Sequence, residues 1–290
     1  MPTGLLLKGQ KGLYTLFDGE KEIQCRAGSR LRKSDTRLSP GDNVEFTVND
    51  DGTGFITEIL PRKNAFVRPP VANIDVFVIV TAAASPDPDI YYLDSLCAIA
   101  TLAGAEVVLV INKTDIKSPK FLTDIYEKTP IKVFCVQAVN GVGVDALREE
   151  LKGKTAVFAG PSGAGKSSLL NALCPSLSAE TGELSERLMR GKNTTRVSQL
   201  FLLEGDIRLA DTPGFTMLDF FACGVTDHKK VIDAFPEMLP FTCDCRWRDC
   251  AHTVEEGCAV LHQVEQGTIP KSRHESFVRI YTELKQKTTY

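Results

Sequence analysis

Three features predict a multidomain α/β protein. Short β-rich runs separated by turn residues fill the first 65 positions, apolar runs alternate with helical stretches around a glycine-rich loop, and a helical segment crowded with cysteines closes the chain. At 290 residues with 43% hydrophobic side chains, the chain can bury a sizeable core and should divide into two or three domains. The expected boundaries are 1–65, 66–218 and 219–290. No apolar run approaches the roughly 18 residues that span a bilayer. Met1 to Tyr14 carries lysines and glycines where a secretory leader would have its apolar stretch. A cytoplasmic monomer with no membrane partner is the expectation. The net charge of -3 gives no global attraction to nucleic acid, so any RNA affinity must be local.

The first domain reads as a small antiparallel barrel. Leu13 to Phe17, Glu22 to Arg26, Val44 to Val48 and Phe55 to Ile59 are strand-like, and Asp18-Gly19, Pro40-Gly41 and Asp51-Gly52 punctuate them. Evenly spaced turns between short strands suggest an OB-fold. Arg26, Arg30, Arg32, Lys33 and Arg37 gather around one of these strands and the loop after it, a potential RNA face, although such a cluster is usually just a solvated surface. The basic, proline-containing connector Pro61 to Pro70, with Arg62, Lys63 and Arg68, marks a boundary.

The second domain changes texture. Val76 to Val80, Glu106 to Ile111, Ile131 to Val136, Thr155 to Ala159, Leu200 to Leu203 and Ile207 to Ala210 read as strands, most of them alternating with helices as in a doubly wound α/β domain. Gly160-Pro161-Ser162-Gly163-Ala164-Gly165-Lys166-Ser167 follows one strand and opens an amphipathic helix with Leu169, Leu170 and Leu173, the context a P-loop requires. Its backbone N–H groups would cradle phosphates, Lys166 would reach the β- and γ-phosphates, and Ser167 would ligate Mg²⁺. Asn112-Lys113-Thr114-Asp115 ends the strand before it. Asp115 would select guanine, because a carboxylate accepts from N1–H and the exocyclic amine, donors that adenine lacks there. Asn112 and Lys113 would hold the loop and cover the base. Gln137-Ala138 occupies the place of a base-flanking Ser-Ala pair.

Asp211-Thr212-Pro213-Gly214 reads as the D-x-x-G element, with Asp211 on Mg²⁺ and the Gly214 N–H on the γ-phosphate. Between it and the P-loop lies Arg190 to Arg196, placed as switch I, with Thr195 as the Mg²⁺-contacting threonine and Thr194 as the alternative. The guanine motif therefore precedes the P-loop, the reverse of the ordinary order, and the domain is expected to be a circularly permuted GTPase. Its switch II then runs directly into the third domain, so loss of the γ-phosphate would reposition that domain. Phe215 stands where Ras-like enzymes hold the water-orienting glutamine and cannot polarise water, so intrinsic turnover should be slow unless a partner assists.

In the third domain, Cys245-x4-Cys250-x-His252-x5-Cys258 offers three thiolates and an imidazole, the ligand set of a closed structural zinc site, with Cys243 as an alternative ligand. Nine cysteines, odd in number and unevenly spread, suit a metal site plus buried thiols better than a disulfide framework. Arg246, Trp247 and Arg248 lie inside the loop and read either as an RNA-stacking group or as a packing anchor. Phe277, Val278, Tyr281 and Leu284 share one face of a helix spanning His274 to Lys287, a packing stripe.

The permuted order, the P-loop continued by Ser168, Asp211 to Phe215, the linker Arg68-Pro69-Pro70-Val71-Ala72-Asn73-Ile74-Asp75 and the cysteine-histidine cluster together resemble the RsgA (YjeQ/YloQ) family across essentially the whole chain. The resemblance implies an N-terminal OB-fold, a permuted GTPase domain and a C-terminal helical zinc-binding domain. It also implies GTP and GDP as ligands, Mg²⁺ with GTP, one structural Zn²⁺, the 30S subunit and its rRNA as partner in late maturation, and GTPase activity stimulated by that subunit. Zinc ligation carries over onto Cys245, Cys250, His252 and Cys258, and nucleotide contacts onto Asn112 to Asp115 and Gly160 to Ser168. Many members have a histidine before the paired switch I threonines, where this chain has Asn193, which can orient water but cannot act as a base near neutral pH. The expected catalytic set is Lys166, Thr195 and Asn193. The alternative to an enzyme is a GTP-sensing RNA-binding module with negligible hydrolysis.

Overall fold

Alternation along the N-terminal runs folds them into strands with one buried face. In β3 (Glu22–Ala27), Ile23, Cys25 and Ala27 are buried while Glu22, Gln24 and Arg26 are exposed, the period of two that a half-buried strand requires. The computed structural model describes residues 1–10, 12–28, 31, 37–66, 70–175, 198–211, 220 and 225–288, without the side chains of 204, 211 and 288. It divides into two compact units. One is Met1–Val76 with Glu149–Phe158 and Cys174–Thr216, and the other is Phe77–Arg148 with Ala159–Leu173 and Met217–Tyr290.

The first unit contains a closed five-stranded barrel of β1 (Thr3–Gln10), β2 (Leu13–Phe17), β3, β4 (Asn43–Val48) and β5 (Gly54–Ile59). The strand order is β1-β2-β3-β5-β4, and β4 returns to pair with β1; β3 and β5 run parallel, so the barrel is not wholly antiparallel as the turn pattern suggests. Closure leaves no open strand edge and is OB-like. Leu6, Leu16, Ile23, Cys25, Val44, Phe46 and Ile56 fill the interior. Four strands stand where the sequence pattern puts them, and β1 is an addition. Its register on β2 shifts between Leu6 and Lys8, so Leu6 and Leu7 are both buried. A bulge of this kind breaks the period of two by which a strand is recognised.

Two described cations of the basic connector, Arg62 and Lys63, are paired within the unit. Arg62 binds the buried Asp42 carboxylate through Nε (2.6 Å) and Nη2 (2.8 Å), and Lys63 pairs with Asp75 at 3.1 Å. A short ladder of β6 (Ala65–Phe66) and β7 (Val71–Ala72) follows. β11 (Thr155–Ala159) is tied to Asp75, whose carboxylate accepts from the Thr155 N–H at 2.8 Å. β13 (Ile207–Asp211) runs parallel to β11, while β12 (Gln199–Leu203) is antiparallel to β13 and meets β1 at Lys8. The Glu204–Asp206 turn between β12 and β13 is too short for the crossover that parallel strands need.

In the second unit β9 (Glu106–Asn112) lies between β8 (Val76–Ala82) and β10 (Lys132–Cys135), parallel to β10. Every residue of β8 is buried, as expected for a strand covered on both faces. Helices α1 (Ile90–Leu102), α2 (Lys120–Tyr126), α3 (Val144–Leu151) and α4 (Lys166–Leu173) intervene. Beyond residue 225 the chain forms 3₁₀ turns at His228–Ala234 and Leu239–Asp244, then α5 (Ala259–Glu265) and α6 (Lys271–Thr288). Phe277, Ile280 and Leu284 of α6 pack on Ala98 and Ile99 of α1 and on Val231, Phe235 and Met238, so the expected stripe is a packing face. Among the described residues no helix is long and apolar enough to cross a membrane.

Candidate nucleotide site and metal cluster

β9 delivers Asn112-Lys113-Thr114-Asp115 at its carboxyl end, where ligands bind in sheets of this kind. Asn112 is buried and holds two loops at once. Its Nδ2 donates to the Ala164 carbonyl of the phosphate loop, and its Oδ1 accepts the Ala138 N–H from the loop after β10, both at 3.0 Å. The Ala138 N–H thus points to Asn112. Thr114 Oγ1 donates to the Val136 carbonyl at 3.1 Å, and the Lys113 ammonium donates to the Ser85 carbonyl in the loop after β8. Gln137 accepts from the Asn140 amide at 3.2 Å through Oε1. Asp115 is exposed at the end of this loop.

The phosphate loop is shaped by two close approaches. At Gly160 φ is 136°, and a Cβ there would collide with the Val80 carbonyl of β8. At Gly165 φ is 92°, and a Cβ would collide with the Asn112 amide. Only glycine satisfies both the left-handed backbone and the space. Lys166 Nζ donates to the Gly160 and Pro161 carbonyls, each at 2.8 Å, and burial lowers its pKa. Ser167 and Ser168 follow in the first turn of α4, which is anchored by the buried Leu169, Leu170 and Leu173. At the other end of α4, Arg148 donates to the Ala172 and Leu173 carbonyls at 2.9 and 3.0 Å, where a cation meets the negative end of the helix dipole. A glycine loop at a helix N-terminus with a half-buried lysine can hold an anionic phosphate. Asp211 ends β13. Asn193, Thr194, Thr195, Gly214 and Phe215 lie outside the described residues, as do Arg30, Arg32, Lys33 and Arg68.

The ligand atoms of Cys245, Cys250, His252 and Cys258 all lie within 4.8 Å of one another, and the group could hold a metal ion. His252 Nδ1 faces Cys245 Sγ at 3.4 Å and Cys258 Sγ at 3.5 Å. Burial pushes the Cys258 thiol up to about 12, so a metal would have to displace its proton, while burial lowers the His252 imidazole and favours the neutral ring that a metal binds. Cys243 is exposed and is not among the four converging residues. Trp247 is 54% exposed, with the Arg246 guanidinium 5.0 Å over its ring and its Nε1 donating to the Glu256 carbonyl. The ring is thus tied to the metal loop on one side and open on the other.

Residues 3–56 match the RsgA N-terminal domain and residues 59–221 match the RsgA GTPase. The chain belongs to the RsgA GTPase family. Relatives named small ribosomal subunit biogenesis GTPase RsgA include those of Alkaliphilus metalliredigens, 36% identical with all of both chains covered, and Moorella thermoacetica, 38% identical with 97% of each covered. The crystal structure of YjeQ from Thermotoga maritima is similar at a TM-score of 0.82, with 30% identity and 98% of each chain covered. YloQ, described as a circularly permuted GTPase, also gives 0.82, with 26% identity over 99% of this chain and 96% of that one. This RsgA-family chain is therefore a GTPase whose guanine motif precedes its P-loop.

Sequence reasoning missed the residues that support these loops. The Glu255 carboxylate accepts from the N–H groups of Thr253 (2.8 Å), Val254 (3.1 Å) and Ala251 (3.2 Å) and folds the metal loop around itself. Burial alone would raise its pKa, but these donors outweigh burial and hold it below the usual range. A glutamate between two ligands was the available signal. His274 Nε2 donates to the His252 carbonyl at 2.7 Å, and nothing in local spacing points to it.

Proposed function

We propose that this protein hydrolyses GTP as a ribosome assembly factor that binds the small (30S) subunit through its rRNA late in maturation, with hydrolysis stimulated by that subunit. The single observation that carries the nucleotide reading is Asn112, which ties the guanine loop to the phosphate loop through Ala164 and Ala138 despite the inverted order of the motifs. In this reading Asp115 reads guanine, Asn112 to Thr114 frame the base, and Gly160 to Ser168 cradle the phosphates. Lys166 leaves the Gly160 and Pro161 carbonyls to meet the β- and γ-phosphates. Ser167, Thr195 and Asp211 would hold Mg²⁺, which neutralises charge on the phosphates, and the Gly214 N–H would meet the γ-phosphate. Asn193 orients the attacking water, because Phe215 cannot. Lacking a general base, the chain turns over slowly by itself, and the subunit supplies an acceleration of ~10³ to 10⁵.

The metal is one structural zinc ion. Bonds of about 2.3 Å to sulfur and about 2.0 Å to nitrogen give a tetrahedron with S···S edges of about 3.8 Å and S···N edges of about 3.5 Å. The Cys245–Cys258 separation is 3.8 Å and the two sulfur to His252 distances are 3.4 and 3.5 Å, which supports that fit. With four protein ligands the ion stabilises the loop and does not enter the chemistry. The exposed Trp247 and Arg246 stack supports an RNA contact, since an aromatic ring beside a cation accepts an unpaired base. The three functional domains are 1–65, 66–218 and 219–290, and the protein works as a cytoplasmic monomer. Multiple-turnover phosphate release with and without purified 30S subunits tests the reading. Stimulation is the expected result, and tight GTP binding with no stimulation would leave a GTP-sensing binding module instead.

A further inference from the structure

We propose that the first turn of α6 couples the metal loop to the nucleotide-binding core, so that nucleotide binding and metal retention reinforce each other. The proposal rests on the nucleotide and zinc assignments above and adds a link between them. Two adjacent residues face opposite ways. Arg273 is fully buried, and it donates from Nη1 to Asp94 of α1 and from Nε to Glu237, each at 2.7 Å. Its guanidinium lies 4.5 Å from the Phe235 ring centroid. The buried Tyr126 hydroxyl of α2 donates to the same Asp94 oxygen at 2.8 Å. The next residue, His274, donates through Nε2 to the carbonyl of His252, itself one of the metal-cluster residues.

The N-terminal end of α1 leads back to the guanine loop. The helix is capped by Asp89, which accepts from the Tyr92 N–H at 3.0 Å, one turn before Asp94. The loop leading into it carries Ser85, whose carbonyl holds the Lys113 ammonium. Lys113, the Ser85 loop, α1, Arg273, His274 and His252 are therefore linked in series, partly by side-chain contacts and partly by the backbone, inside a single compact unit. The centre of the set is ionic where an apolar packing would serve stability as well, because desolvating a guanidinium and two carboxylates opposes their attraction. Asp94 Oδ2, Glu237 Oε2 and Arg273 Nη2 are buried without a hydrogen-bond partner among the described residues. A cluster so incompletely satisfied is sensitive to small shifts of either helix, which suits a coupling element better than a passive staple.

Coupling between two ligands is reciprocal, so it can be read from the metal side without measuring turnover. The experiment measures the zinc affinity of the full-length protein by equilibrium competition with a colorimetric chelator, with and without saturating Mg²⁺ and GDP. GDP should tighten zinc about tenfold, within the range of typical coupling free energies. In the uncharged, shape-preserving variant Arg273→Met/Asp94→Asn/Glu237→Gln, and in His274→Phe, GDP should still bind but no longer tighten zinc. Equal zinc affinities with and without GDP in the parent protein, or the full tenfold gain in a folded variant, overturns the coupling. If a variant does not fold, the parent comparison still decides. A parent protein that holds no zinc or binds no GDP overturns the site assignments and the coupling with them.

Discussion

The phosphate loop and the metal loop are both short irregular segments, yet they are held in shape by opposite means. The phosphate loop is fixed by backbone conformation and close approach. Gly160 sits against the Val80 carbonyl, Gly165 against the Asn112 amide, and the lysine side chain bonds back to the loop carbonyls. The metal loop is fixed by side chains: four ligand groups converge, and Glu255 gathers three N–H groups from within the loop. A loop held by its backbone binds whatever fits the fixed array of N–H groups. A loop held by side chains depends on a bound ion to keep its ligands together.

The largest effect expected from breaking this contrast is at Gly160. An added methyl group meets strand backbone that cannot move, so Gly160→Ala should lose about 4 kcal/mol or more, measured by denaturant unfolding. At Gly165 the obstructing atom is the end of a side chain. Gly165→Ala should keep the fold but displace Asn112, lowering GDP affinity roughly 100-fold by equilibrium titration, about 2.7 kcal/mol. If both variants bind GDP normally, close approach does not define the loop.

In the metal loop, Cys258→Ala should bring bound zinc to nearly none by metal analysis and open the loop to proteolysis, while barrel strands stay protected from hydrogen exchange. Glu255 supports the ligands without being one of the four. Glu255→Ala should weaken zinc about 10- to 100-fold in competition with a chelator, the range seen when groups behind the ligands are lost. Retention of wild-type affinity would mean that the ligands alone set the loop. The smallest effect is at Trp247, whose exposed ring should change stability by no more than about 0.5 kcal/mol on replacement by alanine, checked by thermal unfolding.

The same contrast decides what the sequence could disclose. The phosphate loop, the guanine motif and the cysteine-histidine cluster are contiguous or closely spaced, so residue types and spacing alone were enough to single them out as candidates. The barrel was legible wherever strands alternate, and the bulge at Leu6 and Leu7 hid β1. Arg273 was not legible, because its partners Asp94, Tyr126 and Glu237 are brought to it only by tertiary packing. The one hint was an aspartate inside the apolar run Ile90 to Leu102, where a buried carboxylate demands a partner. Glu255 escaped because a carboxylate folding a loop and a solvated carboxylate look alike in a sequence.

The central claim is that Asp115, presented by β9 and held to the phosphate loop through Asn112, makes this permuted site a guanine-nucleotide site. Equilibrium binding of GDP, ADP and XDP to the parent protein and to Asp115→Asn tests it most directly. The parent should prefer GDP over ADP by roughly 10⁴-fold, as sites built around hydrogen bonds to one ligand do. The variant should turn toward XDP, since its amide donates where the base now offers a carbonyl. Comparable ADP and GDP binding by the parent, or an undiminished GDP preference in the variant, would contradict the assignment.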